Sequence, residues 1–305
     1  MLSIIMPTYR RHAILGQTLS VLANAVRGMD AEIVVVNDDT TRLPAELITA
    51  GVRVFQNTGK GPGAARNLGA ATTQGETLLF LDDDILIGAE QIEHLLGLYA
   101  EQPDAVFNAN WHYPEALTAN MENTAFGRYL IAQGRTSMRG WIGETPEWER
   151  PALRSVQGVG SYCLLMARAT FERIGGYSSS TPISGDDAVL SARLRAANVP
   201  MLVTTHITLG HNEADRLDLP GYLDRQYRGA VGIAQAAAEG VTYPGAAPSG
   251  LKKLTISLAL NFESQLLSLA QHWPGGRWAD PLFERLVNLL YHTAVHRGLR
   301  DGAPA

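Results

Sequence analysis

The 305-residue sequence has one cysteine, Cys163. A lone cysteine excludes an internal disulfide and any zinc site built from cysteine pairs. Charge is sparse and nearly balanced: 25 basic residues face 30 acidic ones, for a net charge of −5. That balance lacks the cationic surface of a general nucleic-acid binder, so no nucleic-acid partner is expected. No apolar run reaches the roughly 18 residues of a membrane span. The best stretch, Leu251 to Ala270, is interrupted by Lys252, Lys253, Asn261 and Glu263. The opening Leu2-Ser3-Ile4-Ile5-Met6 has no basic region before it and no small-residue cleavage site after it, so a signal peptide is not expected. No glycine-lysine-serine/threonine loop occurs. Pro7-Thr8-Tyr9-Arg10-Arg11 stands where a dinucleotide fingerprint would follow the first strand.

What is present is an ordinary core-forming composition, 46% hydrophobic, in an alternating pattern. Short apolar runs at Leu2–Met6, Ile33–Val36, Val52–Phe55 and Thr77–Leu81 read as buried strands. Leu15, Leu19, Leu22 and Val26 mark a helix between the first two, and Ile92, Leu95, Leu96 and Tyr99 mark another after the fourth. Strands alternating with helices predict an α/β fold with a parallel sheet, whose ligands sit at the carboxyl ends of the strands. From Asn108 to Arg154 periodicity is weak, and Trp111, Trp141 and Trp148 lie among Gly, Pro, Asn and Glu, which suits a binding segment with long loops or, equally, irregular structural packing. Helices are expected at Phe171–Tyr177 and Ala188–Ala197, and a strand from Pro200. After a Pro/Gly-rich linker, Pro244 to Gly250, the tail is helical. Leu251, Leu254, Leu258, Phe262 and Leu266 share one face, and Phe283, Leu286, Val287, Leu290 and Ala294 share another.

Four clusters could carry chemistry. An apolar strand delivers Asp82-Asp83-Asp84 to its carboxyl end. Three adjacent acids repel one another unless water or a cation screens them, and oxygen ligands suit Mg2+ or Mn2+. A solvated acidic turn is the competing reading. A second strand ends in Asn37-Asp38-Asp39, where a carboxylate could accept from a base or ribose; taken alone, turn chemistry accounts for it better. Gly59-Lys60-Gly61-Pro62-Gly63-Ala64-Ala65-Arg66 leads into a helix whose start favours anions, or is a plain glycine-rich turn. Ser184-Gly185-Asp186-Asp187 precedes another helix and offers a general base or a helix cap. A helix start lowers a carboxylate's pKa, while burial or a neighbouring acid raises it.

Taken in order, Pro7-Thr8-Tyr9, Asn37-Asp38, Gly63-Ala64-Ala65-Arg66-Asn67-Leu68-Gly69, Asp82-Asp83-Asp84, Gly175-Gly176-Tyr177 and Asp186-Asp187 resemble the family 2 glycosyltransferases over about Met1 to His211. The resemblance implies a GT-A fold, Rossmann-like, with a mostly parallel sheet flanked by helices. It implies a nucleotide-sugar-binding half at 1–110, an acceptor-binding and catalytic half at 111–215 and a helical extension at 216–305. It implies an inverting, metal-dependent enzyme, with a UDP-sugar the favoured donor and a glycan, lipid-linked or small-molecule acceptor. Pro7, Thr8 and Tyr9 would line the nucleotide pocket and Asp38 would face the base. Arg66 would lie near the phosphates, and Asp82 and Asp83 would meet the nucleotide-sugar. Asp84, Asp82 and His211 would hold Mn2+ or Mg2+, with His206 competing for the role of His211. Asp187 would be the catalytic base. Asp39, where the family commonly has glycine, and Asp186, where it often has glutamate, are departures. Arg225-Gln226-Tyr227-Arg228-Gly229 lacks the tryptophan of processive synthases, so a non-processive enzyme is expected.

Two other classes are compatible with parts of this pattern: a haloacid-dehalogenase-type phosphatase, and a nucleotide-sugar-binding protein without catalysis. The expected location is cytoplasmic. Trp273, Trp278, Lys252, Lys253, Arg297 and Arg300 leave the C-terminal helices open to a peripheral membrane contact, and their apolar faces to a homodimer.

Overall fold

The computed structural model describes residues 1–48, 51–143, 145–178, 185–238, 240–241 and 250–303. Ser184 and nearly all of the expected linker at 244–250 lie outside them. In chain order the elements begin β1 (Leu2–Thr8), α1 (His12–Ala25), β2 (Ala31–Asn37), β3 (Val52–Gln56), α2 (Gly61–Thr72), β4 (Thr77–Leu81), β5 (Ile85–Leu86), α3 (Ala89–Glu101) and β6 (Val106–His112). They continue α4 (Glu115–Met121), α5 (Ala125–Ala132), α6 (Met138–Ile142), β7 (Leu153–Ser155), β8 (Cys163–Ala167), α7 (Arg168–Arg173), α8 (Asp186–Ala196) and β9 (Met201–His211). The last four are helices: α9 (Leu219–Ala238), α10 (Gly250–Leu260), α11 (Glu263–Gln271) and α12 (Asp280–Asp301).

The chain divides into two compact units. The first, Met1–Pro114 with Ser137–Pro182 and Asp186–Asn212, contains the whole nine-stranded sheet in the order β3-β2-β1-β4-β8-β6-β9-β5, with β7 on β9. β1 is parallel to β2 and β4, and β2 to β3, as the strand–helix alternation predicts. Every residue of β1 is buried, which a strand covered on both faces requires. The second half departs from that pattern. β8 runs antiparallel to both β4 and β6, β9 is parallel to β6, and β5 and β7 run antiparallel to β9. The sheet is therefore mixed. On one face, Phe80, Phe171 and Tyr177 form an aromatic cluster with ring centroids 5.0 to 5.9 Å apart.

The second unit is Glu115–Thr136 with Ile183–Gly185 and Glu213–Ala305. Its centre is the pair α9 and α12, with Phe283, Val287, Leu290 and Ala294 buried along α12. Arg128 on α5 grips Asp280 at the start of α12 through two bonds of 2.8 Å, and Tyr129 donates to Asn288 at 2.9 Å. The loops expected between Asn108 and Arg154 are instead β6, three short helices and β7. Thr124 accepts from the Gly127 N–H as an N-cap, a signal for α5 that was present in the sequence. The single apolar face expected from Leu251 to Leu266 is interrupted. The chain turns at Asn261 and Phe262, both Leu258 and Phe262 are exposed, and the turn lets Glu263 pair with Arg297 at 2.8 Å. Trp278 is 83% exposed, whereas Trp273 packs on Phe283 with ring centroids 5.3 Å apart. Among the described residues no helix is long and apolar enough to cross a membrane.

Helix α2 lies against β1, and Gly69 permits that approach. A Cβ there would overlap Cγ2 of the fully buried Ile5. Gly69→Ala gains helix propensity but drives a methyl into a side chain with nowhere to retreat. The net expectation is a loss of about 1–3 kcal/mol in urea denaturation.

Candidate active site

Sheet register assembles the site. Ile5 lies opposite Phe80, so Thr8 comes level with Asp83, and Thr8 Oγ1 donates to Asp83 Oδ2 at 2.6 Å. Leu81 lies opposite Cys163 on the antiparallel β8, and the Asp82 N–H donates to the Tyr162 carbonyl at 2.9 Å, which brings Ser161 alongside the acids. Ile85 lies opposite His211, and the Asn212 N–H donates to the Asp84 carbonyl at 2.7 Å. Three strands thus bring Thr8, Ser161 and His211 around one acidic strand end.

The acidic trio is not a solvated turn. Asp83 and Asp84 are 5% and 2% exposed, and the Asp82 side chain is 34% exposed. Water cannot screen the two inner carboxylates. Arg11, itself buried, places Nη1 2.7 Å from Asp83 Oδ1 and 2.5 Å from Asp84 Oδ2. Arg66 reaches Asp82 Oδ1 at 2.6 Å and Asp186 Oδ2 at 2.7 Å. Sequence reasoning assigned no role to Arg11. Its signal was topological: once β1 and β4 are neighbours, the residues following one meet those following the other.

Arg66 is also supported from below. Its guanidinium lies 5.3 Å from the Tyr177 ring centroid. Asn67 fixes that tyrosine's backbone, accepting from its N–H at 2.9 Å and donating to its carbonyl at 3.0 Å. Gly176 adopts φ +63, the left-handed conformation that turns the chain into this clamp. The two carboxylates hold Arg66 as a cation despite its burial. It is turned to them, and so joins the strand-end acids to the start of α8.

Asp187 is half-buried beside the buried Asp186. Its Oδ1 accepts from the Ser161 N–H at 3.1 Å and from Ser161 Oγ. Burial, then the charge of Asp186, push its pKa up from 3.8 to about 7, against the opposing pull of Arg66 and Ser161. At this helix start, burial outweighs the helix dipole. Asp186 is pushed up as well, again by burial, with Arg66 opposing. Ser161 carried no signal in the sequence.

On the side of β9, His211 Nε2 lies 3.4 Å from Asp84 Oδ1, and the imidazole stands edge-on to Trp111 at 4.5 Å. A carboxylate oxygen converging with an imidazole nitrogen fits Mn2+ well and Mg2+ less well. Asp82, the other expected ligand, gives Oδ1 to Arg66. His206, the competing histidine, is exposed and faces His94 at 5.8 Å.

At the nucleotide end, Pro7 is buried within β1 and Tyr9 is half-exposed, with the Arg10 guanidinium 5.0 Å from its ring centroid. Asp38 is turned to the start of α2, accepting from the Gly61 N–H at 3.1 Å and from Asn57 at 2.5 Å. The anion expected at that helix start is therefore the chain's own carboxylate. Asp39 accepts from Arg10 Nε at 2.9 Å, and that ion pair holds its carboxyl below the usual range.

Residues 3–164, just over half of the chain, match the family described as glycosyl transferase family 2. The chain belongs to that family. Members of that family are glycosyltransferases, and the phosphatase reading falls away. It is 27% identical over 229 residues to validoxylamine A glucosyltransferase from Streptomyces hygroscopicus subsp. jinggangensis, covering 67% of this chain and 53% of that protein. It is 34% identical over 110 residues to an uncharacterized glycosyltransferase from Haemophilus influenzae, covering 35% and 37%. The chain thus spans about half or less of the length of these relatives. Among solved structures, the mannosyltransferase PcManGT from Pyrobaculum calidifontis with GDP-Man and Mn2+ aligns over 97% of this chain and 83% of its own, with a TM-score of 0.54 at 16% identity. S. aureus TarS 1-349 with UDP-GlcNAc aligns over 99% and 92%, with a TM-score of 0.53 at 16% identity. At such identity the likeness establishes the fold, which is GT-A.

Two stability measurements probe this site in the glycosyltransferase. Arg66→Met leaves Asp186 buried without its cation, and about 3–5 kcal/mol should be lost in urea denaturation. Arg66→Lys should not restore it, because an ammonium lacks the fork that spans two carboxylates. Asp187 holds its proton more tightly folded than unfolded, so its contribution to stability is full below pH 4 and lost as pH rises through about 7. Asp187→Asn should therefore melt higher than wild type at pH 8, with the difference vanishing near pH 4 in thermal scans.

Proposed function

We propose that this glycosyltransferase moves a sugar from a nucleotide diphosphate to an acceptor hydroxyl with inversion at the anomeric carbon, and that Asp187 is its base. The observation that carries this reading is the Asp187 carboxylate: half-buried, held by Ser161, with its pKa pushed up to about 7 and close to the acidic strand end. A general base works best when its pKa lies near the operating pH. Ser161 occupies Oδ1, so the proton-accepting role falls to Oδ2. The acceptor oxygen attacks the anomeric carbon as its proton passes to Asp187. The bond from that carbon to the diphosphate oxygen breaks, and the nucleoside diphosphate leaves with the electron pair.

Asp84 and His211 would hold the divalent ion, Mn2+ or Mg2+, and its chemistry would be to offset negative charge on the departing diphosphate. Arg66 keeps Asp186 paired, so that the neighbouring carboxylate is the one left to titrate. Thr8 positions Asp83, and Tyr9 offers an exposed ring on which a base could stack. UDP-GlcNAc in one structural neighbour and GDP-Man in another support a nucleotide-sugar donor, and a UDP-sugar is the first to test. The acceptor is a glycan, a lipid-linked sugar or a small molecule, and transfer is non-processive.

Asp187→Asn keeps the shape and loses the base. The expected result is a fall of about 10²–10⁴-fold in kcat with donor affinity retained. In the wild type, kcat/KM should rise with pH and level off above about 7, because the base must be ionised to work. A variant with near-normal turnover, or a profile flat from pH 5 to 8, contradicts the assignment.

A further inference from the structure

We infer that Arg11 is a positioning residue for the divalent cation: by gripping Asp83 and Asp84 it turns the second oxygen of Asp84 toward His211. The inference rests on the metal reading above and extends it to a residue outside the acidic motif. The two oxygens of Asp84 are divided. Oδ2 lies 2.5 Å from Arg11 Nη1, and Oδ1 lies 3.4 Å from His211 Nε2. The same Nη1 lies 2.7 Å from Asp83 Oδ1, while Thr8 holds Asp83 Oδ2. One guanidinium nitrogen therefore fixes two adjacent carboxylates that would otherwise repel each other with no water between them. Supporting contacts of this kind orient metal ligands and typically govern about 10–100-fold in metal affinity.

The backbone is shaped for this division. Arg10, a non-glycine residue, sits at φ +57, a conformation that side chains avoid unless the surroundings enforce it. That turn sends two consecutive arginines to different carboxylates. Arg10 goes outward to Asp39 and Arg11 inward to Asp83 and Asp84.

The opposite role is a stand-in for the metal, a fixed positive charge that competes with it. The two roles differ in sign. Removing a competitor tightens cation binding, whereas removing a positioner weakens it. The test is Mn2+ affinity of the full chain without donor, read by titration calorimetry and by the electron paramagnetic resonance signal of free Mn2+. Arg11→Met should bind Mn2+ about 10–100-fold more weakly than wild type. Arg11→Lys, which keeps the charge but carries it on a shorter, more flexible stem, should fall between them. Unchanged or tighter binding by folded Arg11→Met overturns the inference. If that variant does not fold, Arg11→Lys decides, and wild-type affinity there overturns it too. Asp84→Asn separates the two levels: wild-type Mn2+ binding that is absent, or unaffected by this change, defeats the metal reading and this inference with it.

Discussion

Five carboxylates cluster at one end of the sheet, and the site depends on how two guanidiniums are shared among them. Arg66 spans Asp82 and Asp186, and Arg11 spans Asp83 and Asp84. Each arginine joins acids that an unfolded chain would hold apart or leave to repel. Arg66 ties residues 16 and 120 positions away in sequence, so the start of α8 and the acidic strand end are fastened together by one side chain. Asp187 receives hydrogen bonds from Ser161 rather than a guanidinium in contact. Adjacent acids on one helix start thereby acquire different partners, a guanidinium for Asp186 and a serine for Asp187. Identical residue types are distinguished by their partners.

Several motifs shared with the family serve to support the site. The Gly63 to Gly69 segment supplies Arg66 itself, Asn67 to clamp the Tyr177 backbone, and Gly69 to let helix α2 lie on β1. Gly175-Gly176-Tyr177 sets an aromatic ring beneath Arg66, between the core rings Phe80 and Phe171 and the charge network. Asp38 satisfies the start of α2. A buried cation needs an unyielding frame, because any loosening leaves carboxylates exposed to one another.

The first four strands were legible because buried strands write continuous apolar runs, and α1 because its stripe keeps helical spacing. The acids that follow those strands were legible because the ends of strands are where side chains can meet a ligand. The mixed half of the sheet was not. β8 and β9 pair by long-range register, and no local periodicity in Cys163–Ala167 declares a direction. The short helices α4 and α5 fall below the length at which spacing outweighs chance, although Thr124 marked one cap. The break at Asn261 was not legible because neither glycine nor proline stands there. Arg11 and Ser161 were invisible for a different reason. Each matters through what lies across the sheet from it, a relation visible only once strand order is known.

Arg11 changes the electrostatic reading of the acidic strand end. From sequence alone, either water or a cation had to separate three adjacent carboxylates. In the structure two arginines already do that. Five carboxylates nonetheless face two guanidiniums, so the cluster keeps net negative charge even with Asp187 protonated. A nucleotide diphosphate brings further negative charge, and in a poorly hydrated site like charges are costly. Shielding by protein cations alone would require Arg66 or Arg11 to abandon buried carboxylates, which leaves those acids uncompensated. A cation entering beside Asp84 and His211 adds positive charge without breaking either pair. The arginines hold the acids in place, and under the proposed function the charge left to be shielded is the diphosphate's own.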